Sequence, residues 1–479
     1  MALESSTVYE FEEEYRNTLS TVDAEGKRVW IYPKKPAGQY HRARLGVTVL
    51  LLALFFGGPF IQIQGRPFLL LNFFERRFII FGQAFWPQDF ILLALTLITL
   101  FVFIILFTVA FGRLWCGWAC PQTIFMENVF RKIEYWIEGD ANQQRKLDRA
   151  PWGRTKILKK GFKHLLFLAI SLLIAHIAMA YLIGIGRVQE IVTQSPAAHL
   201  AGFLGLLLFT VLFYGVFARF REQACIAVCP YGRLQSVLLV KNSIVVMYDW
   251  IRGEPRGKLK KNQPVAEPRG HCVDCKLCVH VCPTGIDIRN GTQLECVNCT
   301  ACMDACDDVM GKVGYPKGLI RYSSHAAVEK GEQRVFTPRI AGYAAVLTAL
   351  VSLLGFLIFT RADVEMTVLK APGTLYTKTD DGNISNVYNI EFVNKTFDDI
   401  PVEVRVEAPA SASLVKIGPG ELVIPREGMV KNLYIIKIPE GAITGVKTSI
   451  VLSAYQNGRK IESATARFVG PINMKKTAI

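Results

Sequence analysis

Two consecutive cysteine runs limit what this chain can become more than any other feature. They read Cys272-x2-Cys275-x2-Cys278-x3-Cys282-Pro283 and Cys296-x2-Cys299-x2-Cys302-x3-Cys306, the ligand spacing of a pair of [4Fe–4S] clusters. Three cysteines two residues apart wrap a short loop around one cube and set three thiolates on three irons. The fourth, at the head of the next turn, points away and reaches the other cube. One cluster is therefore expected to take Cys272, Cys275, Cys278 and Cys306, and the other Cys282, Cys296, Cys299 and Cys302. Zinc also uses Cys-x2-Cys pairs, but a closed four-ligand site has no use for thiols packed this densely. Asp307 stands where Pro283 stands in the first run, a change that bears on the local turn and leaves the ligands in place.

The rest of the chain reads as a membrane protein. Its hydrophobic fraction is 51% and its mean hydropathy +0.27. Five apolar stretches are long enough to cross about 30 Å of hydrocarbon as helices, roughly Leu45–Ile63, Phe90–Phe111, Leu165–Ile185, Leu200–Ala218 and Ile340–Thr360. The polar segment 1–41, with its acidic patch Glu10, Glu12, Glu13 and Glu14, precedes the first, so none reads as a cleavable signal peptide. The net charge of +15 does not point to nucleic acid, because the basic residues follow the positive-inside rule. Arg131, Lys132, Arg145, Lys146, Arg149, Arg154, Lys156, Lys159 and Lys160 crowd between the second and third spans. The loop after the third span holds only Arg187, and the first loop holds Arg66, Arg76 and Arg77. This places the N-terminus and the cysteine runs in the cytoplasm, and the C-terminal tail outside a bacterial inner membrane. Cysteine usage agrees, since all twelve lie before the exported tail, in the compartment that keeps thiols reduced.

The expected architecture is a polytopic α-helical membrane protein with five transmembrane helices. A cytoplasmic bacterial-ferredoxin-like 2[4Fe–4S] domain and a C-terminal immunoglobulin-like β-sandwich complete it. The divisions fall at 1–41, 42–230 (four helices), 231–338 (cluster domain), 339–360 (fifth helix) and 361–479 (periplasmic β domain). Alternating strands at Val387–Asn394, Val402–Glu407, Lys431–Ile438, Thr448–Gln456 and Lys460–Phe468, with an Asn457-Gly458 turn, predict the sandwich. Between the cysteine runs, Ile286–Arg289, Asn290-Gly291 and Thr292–Glu295 read as a β-hairpin with a type I′ turn. The linker Arg252–Gly270 leads into the cluster domain. The first loop, Pro67-Phe-Leu-Leu-Leu-Asn-Phe-Phe, then Glu75-Arg76-Arg77, then Phe78-Ile-Ile-Phe, reads as an interfacial lipid-anchoring helix. A part in a quinol pocket is the alternative.

An internal repeat holds the remaining four cysteines. The second span ends Phe111-Gly-Arg113-Leu-Trp-Cys116-Gly-Trp-Ala-Cys120-Pro121, and the fourth ends Phe217-Ala-Arg219, followed by Cys225-Ile-Ala-Val-Cys229-Pro230. If each helix runs on through its motif, cysteines four apart share one face, and Pro121 and Pro230 suit the first turn of the next helix. Juxtaposed hairpins would bring four thiols together. Soft thiolates select Cu(I), zinc or Fe–S, redox thiol chemistry is open to them, and so is the plain packing role of buried cysteine. Arg113 and Arg219 would lower the thiol pKa where they face the sulfurs, or anchor the helices at the interface. His176, with Met179 one turn away, and His199 are weaker candidates, as haem ligands, a copper contact or satisfied packing residues; His280 reads as a solvated loop residue. No nucleophile triad, Walker loop or dinucleotide fingerprint stands out.

This order of parts, with Pro283-Thr-Gly-Ile-Asp-Ile-Arg289 inside the cysteine block, resembles the FixG/CcoG/RdxA family of cytochrome c oxidase accessory proteins. The resemblance covers nearly the whole chain and is weakest over 1–41. It implies a membrane Cu(II) reductase, an oxidoreductase supplying Cu(I) for maturation of cbb3-type oxidase; on that reading Cys116, Cys120, Cys225 and Cys229 are the expected catalytic group where copper is reduced. The implied partners are oxidase assembly factors, copper carriers, membrane lipid and an electron donor, either quinol or a cytoplasmic reductase; a second copy of the chain is a further candidate. Two other classes of function fit the same residues: an electron-transfer subunit of another respiratory maturation system, and a non-redox scaffold or copper chaperone.

Overall fold

Long apolar runs become the longest helices. The computed structural model describes residues 21–22, 25, 27–63, 65–74, 77–80, 83–85, 89–258, 269–293, 295–332, 336–373, 375–396, 398–418, 420–426, 428–443 and 445–471. The acidic patch at Glu10–Glu14, Glu75 with Arg76, and most of the linker 259–268 lie outside these residues. Five helices are long and apolar enough to cross a membrane: Gln39–Phe60, Phe90–Phe111, Arg154–Ile183, Leu200–Phe220 and Pro338–Phe359. The first starts earlier than hydropathy suggests and turns into a 3₁₀ segment at Gly58–Phe60. The third extends back to Arg154, carrying Lys156 and Lys163 into buried positions. Along Phe90–Phe111, apolar side chains such as Leu97, Ile98, Phe101 and Phe103 stay exposed, as lipid-facing residues must.

Two compact units divide the chain, Met1–Gly82 with Pro87–Leu354, and Gln83–Trp86 with Gly355–Ile479. In the first, Phe125, Met126, Phe130, Phe167, Ile174 and Phe217 form an aromatic core between the helices. The Phe130 and Phe217 rings stack there at 4.4 Å. Both of these rings lie in π-helical turns, Met126–Phe130 and Val216–Phe220. The first loop is not a helix. It is an antiparallel pair, Leu69–Asn72 with Arg77–Ile80, in the register Leu69↔Ile80. Leu70 and Ile79 are buried while Phe73 and Phe74 are exposed beside the turn, an alternation that suits a strand and not a lipid-seated helix face.

The expected hairpin between the cysteine runs is also absent among the described residues; Leu294 lies outside them. Asp287 caps a 3₁₀ turn at Ile288–Asn290 by accepting from Arg289 N, and its carboxylate also holds the Arg289 guanidinium. That local capture removes the backbone groups a ladder would need. The two-stranded ribbon of this region comes instead from flanking sequence, Val245–Tyr248 paired antiparallel with Ile320–Ser323. Its core joins Val246, Tyr248, Ile288, Met303, Met310, Leu319 and Ile320 to Cys272 and Cys278. Ser243 Oγ donates to Val109 O at 2.7 Å and Ile244 N to Ala110 O at 3.0 Å, tying this region to the end of the second long helix.

The second unit is a β-sandwich of immunoglobulin-like type. One sheet runs Ser413–Ile417, Met429–Pro439, Asn383–Asn394, Val364–Lys370, and the other Leu422–Ile424, Ile400–Ala408, Lys447–Gln456, Arg459–Val469. Every pairing is antiparallel. Ile390, Phe392 and Ile436 from one sheet meet Ile424, Ile450, Leu452 and Phe468 from the other. Asn457 and Gly458 both have positive φ (49° and 78°), the conformation that a two-residue I′ hairpin requires.

Candidate functional site

The two cysteine runs adopt one backbone twice. In the first, Asp274 and Lys276 flank Cys275 with φ of 48° and 56°; in the second, Asn298 and Thr300 flank Cys299 with φ of 53° and 66°. Left-handed residues on both sides of the middle cysteine curl each loop inward, and Asp and Asn tolerate that region better than most side chains. Arg289 locks the first loop, with Nη1 to Asp274 Oδ1 and Nη2 to Asp287 Oδ2, each at 2.6 Å. After the fourth ligand the runs diverge. Pro283 follows Cys282, whereas Asp307 continues the helix Ala301–Val313 and accepts from Gly318 N at 2.8 Å.

Two cavities open inside these loops. One is lined by Cys272, Cys275, Cys278 and Cys306, against Tyr248, Val309, Met310 and Leu319. The other is lined by Cys282, Cys296, Cys299 and Cys302, with Cys278 on the shared wall and Val246, Ile286 and Val297 around it. Burial pushes the thiols up, to about 12 for Cys278, Cys296 and Cys306 and about 11 for Cys299. A metal that takes them as thiolates relieves that penalty. Four thiols around a dry, apolar hollow fit a cubane, and no three His, Cys, Asp or Glu among the described residues are arranged for a single ion. Cys272, Cys275, Cys278 and Cys306 would hold one cluster, and Cys282, Cys296, Cys299 and Cys302 the other.

The second cavity is ringed by positive charge. Arg44, buried in the first turns of its helix, donates from Nη1 to Cys299 O at 2.9 Å. Arg113, also buried, donates to Cys296 O at 3.4 Å and Gly232 O at 2.6 Å. Asn298, 2% exposed, accepts from Cys296 Sγ at 3.6 Å and Val246 N at 3.3 Å, while its Nδ2 makes no hydrogen bond.

The twin membrane-edge motifs come to rest against this cavity. The long helices do not run on through them. Gly112 (φ 55°, ψ −126°) stops the second and Arg221 (φ 55°, ψ −123°) stops the fourth, so each pair of cysteines sits on separate short turns and not on one helix face. Cys116 lies in Leu114–Trp118 and Cys225 in the π turn Ala224–Val228. Cys120 and Cys229 immediately precede Pro121 and Pro230, which open the next helices at their first turn. All four thiols are near enough to interact electrostatically: Cys116 with Cys120 and Cys229, and Cys225 with Cys120, Cys116 and Cys229. Burial pushes Cys116 up to about 11, opposed by Gln235 and Arg113, and Cys225 up to about 12. The matching stops make Glu222, not Arg219, the counterpart of Arg113 in the repeat; Arg219 is exposed.

Gly117 makes the approach possible. A Cβ there would lie 2.5 Å from Asn298 O and 2.6 Å from Val297 O, so the Cys116 turn rests directly on the loop of the second cavity. Cys116 packs with Val281, Val297, Cys299 and Ala301, and Trp118 Nε1 donates to Tyr322 Oη at 2.8 Å.

A buried ion network flanks the same turns. Arg221 grips Glu134 with two bonds of 2.8 Å, Arg131 pairs with Glu127 at 2.9 Å, and Lys163 pairs with Glu138 at 2.9 Å. Burial alone would raise the Glu134 carboxyl, yet Arg221, Lys163 and Arg131 hold it below the usual range. Sequence reading took Arg131, Lys156 and Lys160 only as topology signals; the acidic residues Glu127, Glu134 and Glu138, at helical spacing among them, were the available hint. The histidines bond locally, His176 Nδ1 to Leu172 O and His199 Nε2 to Gln194 Oε1, both at 2.7 Å, and His280 is exposed.

Five spanning helices with two cysteine-lined cavities define a membrane iron–sulfur electron-transfer protein. The family profile described as "4Fe-4S dicluster domain" matches residues 220–325, and "4Fe-4S binding domain" matches 93–140. The profile for the IG-like fold at the C-terminus of FixG matches 354–471. Protein RdxB of Cereibacter sphaeroides is 34% identical over 86% of this chain and 89% of its own length. Protein RdxA of the same organism is 33% identical over 94% and 97%, and the nitrogen fixation protein FixG of Rhizobium meliloti is 32% identical over 81% of each. The chain belongs to the FixG/RdxA family.

Proposed function

We propose that the protein is a bacterial inner-membrane Cu(II) reductase that supplies Cu(I) for maturation of cbb3-type cytochrome c oxidase. The observation that carries this reading is the seam at Gly117, which joins the second ferredoxin-type cavity to the Cys116, Cys120, Cys225 and Cys229 group. When bound, the two clusters supply one-electron storage. Cys116 and Asn298 shorten the path between the two sites, and Arg113, bonded to Cys296 O and close to Cys116, holds positive charge along it. Each Cu(II) takes one electron at the four-thiol group and leaves as Cu(I), the form that thiol and thioether carriers accept. A quinol donor would reduce two Cu(II), release two protons and leave as quinone; a cytoplasmic reductase would deliver the electrons singly.

The basic stretch from Arg131 to Lys160 supports a cytoplasmic position for the cluster domain and a periplasmic one for the sandwich. The combined substitution Cys116→Ser and Cys225→Ser is expected to abolish Cu(II) reduction and leave the EPR spectrum of the two ferredoxin-type clusters intact. Unchanged Cu(II) reduction in that variant would overturn the assignment.

A further inference from the structure

The two ferredoxin-type cavities differ in what stands outside them. The second is covered by the Cys116 turn, and its cysteines are buried or half-buried. The first opens outward. Among the twelve cysteines of the chain Cys275, one of its four, is the exposed one. Electron transfer weakens steeply with distance, so an exposed ligand marks the shortest approach from outside to a redox centre held there.

Positive charge surrounds that opening. Lys276 and Arg289 line the cavity itself. The stretches 253–258 and 269–272 are pinned to the Cys272 loop: Cys272 N donates to Gly253 O at 3.2 Å, Gly257 N to Cys272 O at 3.1 Å and Gly270 N to Pro255 O at 3.1 Å. This fixes Arg256, Lys258 and Arg269 at the rim, all exposed, as Lys276 is. Arg269 Nη1 donates to Lys258 O at 3.2 Å, and Arg256 is close enough to act on both Asp274 and Asp287. Arg252 donates to His271 Nδ1 at 2.9 Å and to Lys317 O at 3.1 Å, which holds the exposed Lys317 beside the same loop.

The nearby acids are engaged within the chain. Arg289 holds Asp274 and Asp287, and Glu254 faces Tyr248 and Arg256. Asp307 accepts from Gly318 N, and Asp308 pairs with Lys312 at 2.5 Å. Among the described residues, Lys258, Arg269, Lys276 and Lys317 therefore set the sign of the rim. A lipid-soluble quinol brings no charge to match it, and a small anion needs no surface of this width. A protein with an acidic face matches both.

We propose that this rim is the docking face for a small soluble protein that carries single electrons beneath an acidic surface, and that electrons enter the chain at Cys275. This deepens the proposed function by naming the class of donor, and rests on it only in sending the electrons on toward the four-thiol group. At each encounter the carrier loses one electron, the centre that Cys272, Cys275, Cys278 and Cys306 would hold gains it, and no proton moves. Opposite charges speed the encounter, and the gain fades with salt.

The test uses the full chain in nanodiscs with a strongly acidic flavodoxin as probe and no copper. Binding of oxidised flavodoxin, in which no electron moves, is read by isothermal titration calorimetry. Reduction of the iron–sulfur centres by photoreduced flavodoxin is read by anaerobic stopped flow. Raising the salt from about 20 to about 300 mM is expected to slow that reduction about tenfold or more. Arg256→Glu with Lys276→Glu is expected to weaken binding and slow reduction by about ten- to a hundredfold, with iron content and EPR signals kept. Arg269→Glu with Lys317→Glu is expected to act in the same direction and decides the matter where the first variant loses iron. Reduced methyl viologen, a small cation that needs no docking face, should reduce both variants at least as fast as the wild type. Flavodoxin binding and rates unmoved by both variants, a rate indifferent to salt, or reduction by decylubiquinol and not by flavodoxin overturn the proposal. Charge reversal that leaves flavodoxin binding intact and strips anionic lipid from the purified chain, counted by mass spectrometry, marks a lipid contact and overturns it too. Because copper is absent from the test, a failure of Cu(II) reduction leaves the docking result standing. A failure of docking likewise leaves standing any Cu(II) reduction by chemically reduced protein.

Discussion

The interiors of the two units are built from different materials. Among the described residues the charged residues that are buried as a whole lie in the unit with the long helices, including Arg44, Arg113, Arg131, Glu134, Lys163, Arg221 and Glu222; the sandwich encloses the Lys395 side chain, 8% exposed and paired with Glu365 at 2.9 Å. The other buried polar groups of the sandwich are neutral: Ser385, Asn386, Asn394, Thr448 and Ser453. All twelve cysteines fall in the first unit as well. Desolvated charges seldom add net stability over well-packed apolar residues, so the first unit holds an interior that packing alone would not select. Its charges surround the sulfur sites, where they fix turns and set local potential. The sandwich, free of such duties, has the aliphatic and aromatic centre that closes two sheets.

Substitutions can break this contrast. The largest effect is expected for Arg221→Met, which leaves Glu134 buried without its main partner; breaking such a pair costs about 3–5 kcal/mol. Thermal unfolding in detergent should show the helical unit destabilised and the sandwich transition unmoved, and equal shifts in both would contradict the division. Next, Gly117→Ala forces a methyl group into the Asn298 and Val297 carbonyls, at about 1–3 kcal/mol for overpacking. Stopped-flow reduction of Cu(II) should slow in this variant while iron content holds; an unaltered rate would show that the seam is not on the electron path. The smallest effect is expected for Ile436→Val in the sandwich core, at about 0.5–1.5 kcal/mol. It should lower only the sandwich transition and leave Cu(II) reduction at its wild-type rate.

Legibility in the sequence followed the same contrast. The strand Met429–Pro439 was readable because its burial alternates with period two, and Phe90–Phe111 because lipid surrounds it with nothing to interrupt the pattern. The cysteine runs were readable because spacing specifies their loops locally. Elsewhere, tertiary partners decided. Ile286–Glu295 looks like a hairpin until Asp287 and Asp274 both claim Arg289. Phe217-Ala-Arg219 looks equivalent to Phe111-Gly-Arg113 until the π turn Val216–Phe220 shifts the stop to Arg221. Arg221 holds a positive-φ conformation (φ 55°, ψ −123°) that a non-glycine residue enters at a cost of about 1–3 kcal/mol, while its side chain is gripped by Glu134. Such compensation between distant residues leaves no periodic trace in one sequence.

Gly117 gives the arrangement a particular vulnerability. Two sulfur-rich loops touch there because a single hydrogen occupies the space that any other amino acid would fill with carbon. A replacement would leave the helices in the bilayer and the iron in its pockets, and would open the circuit between them. A lesion at this position should therefore look like a well-made protein that conducts poorly.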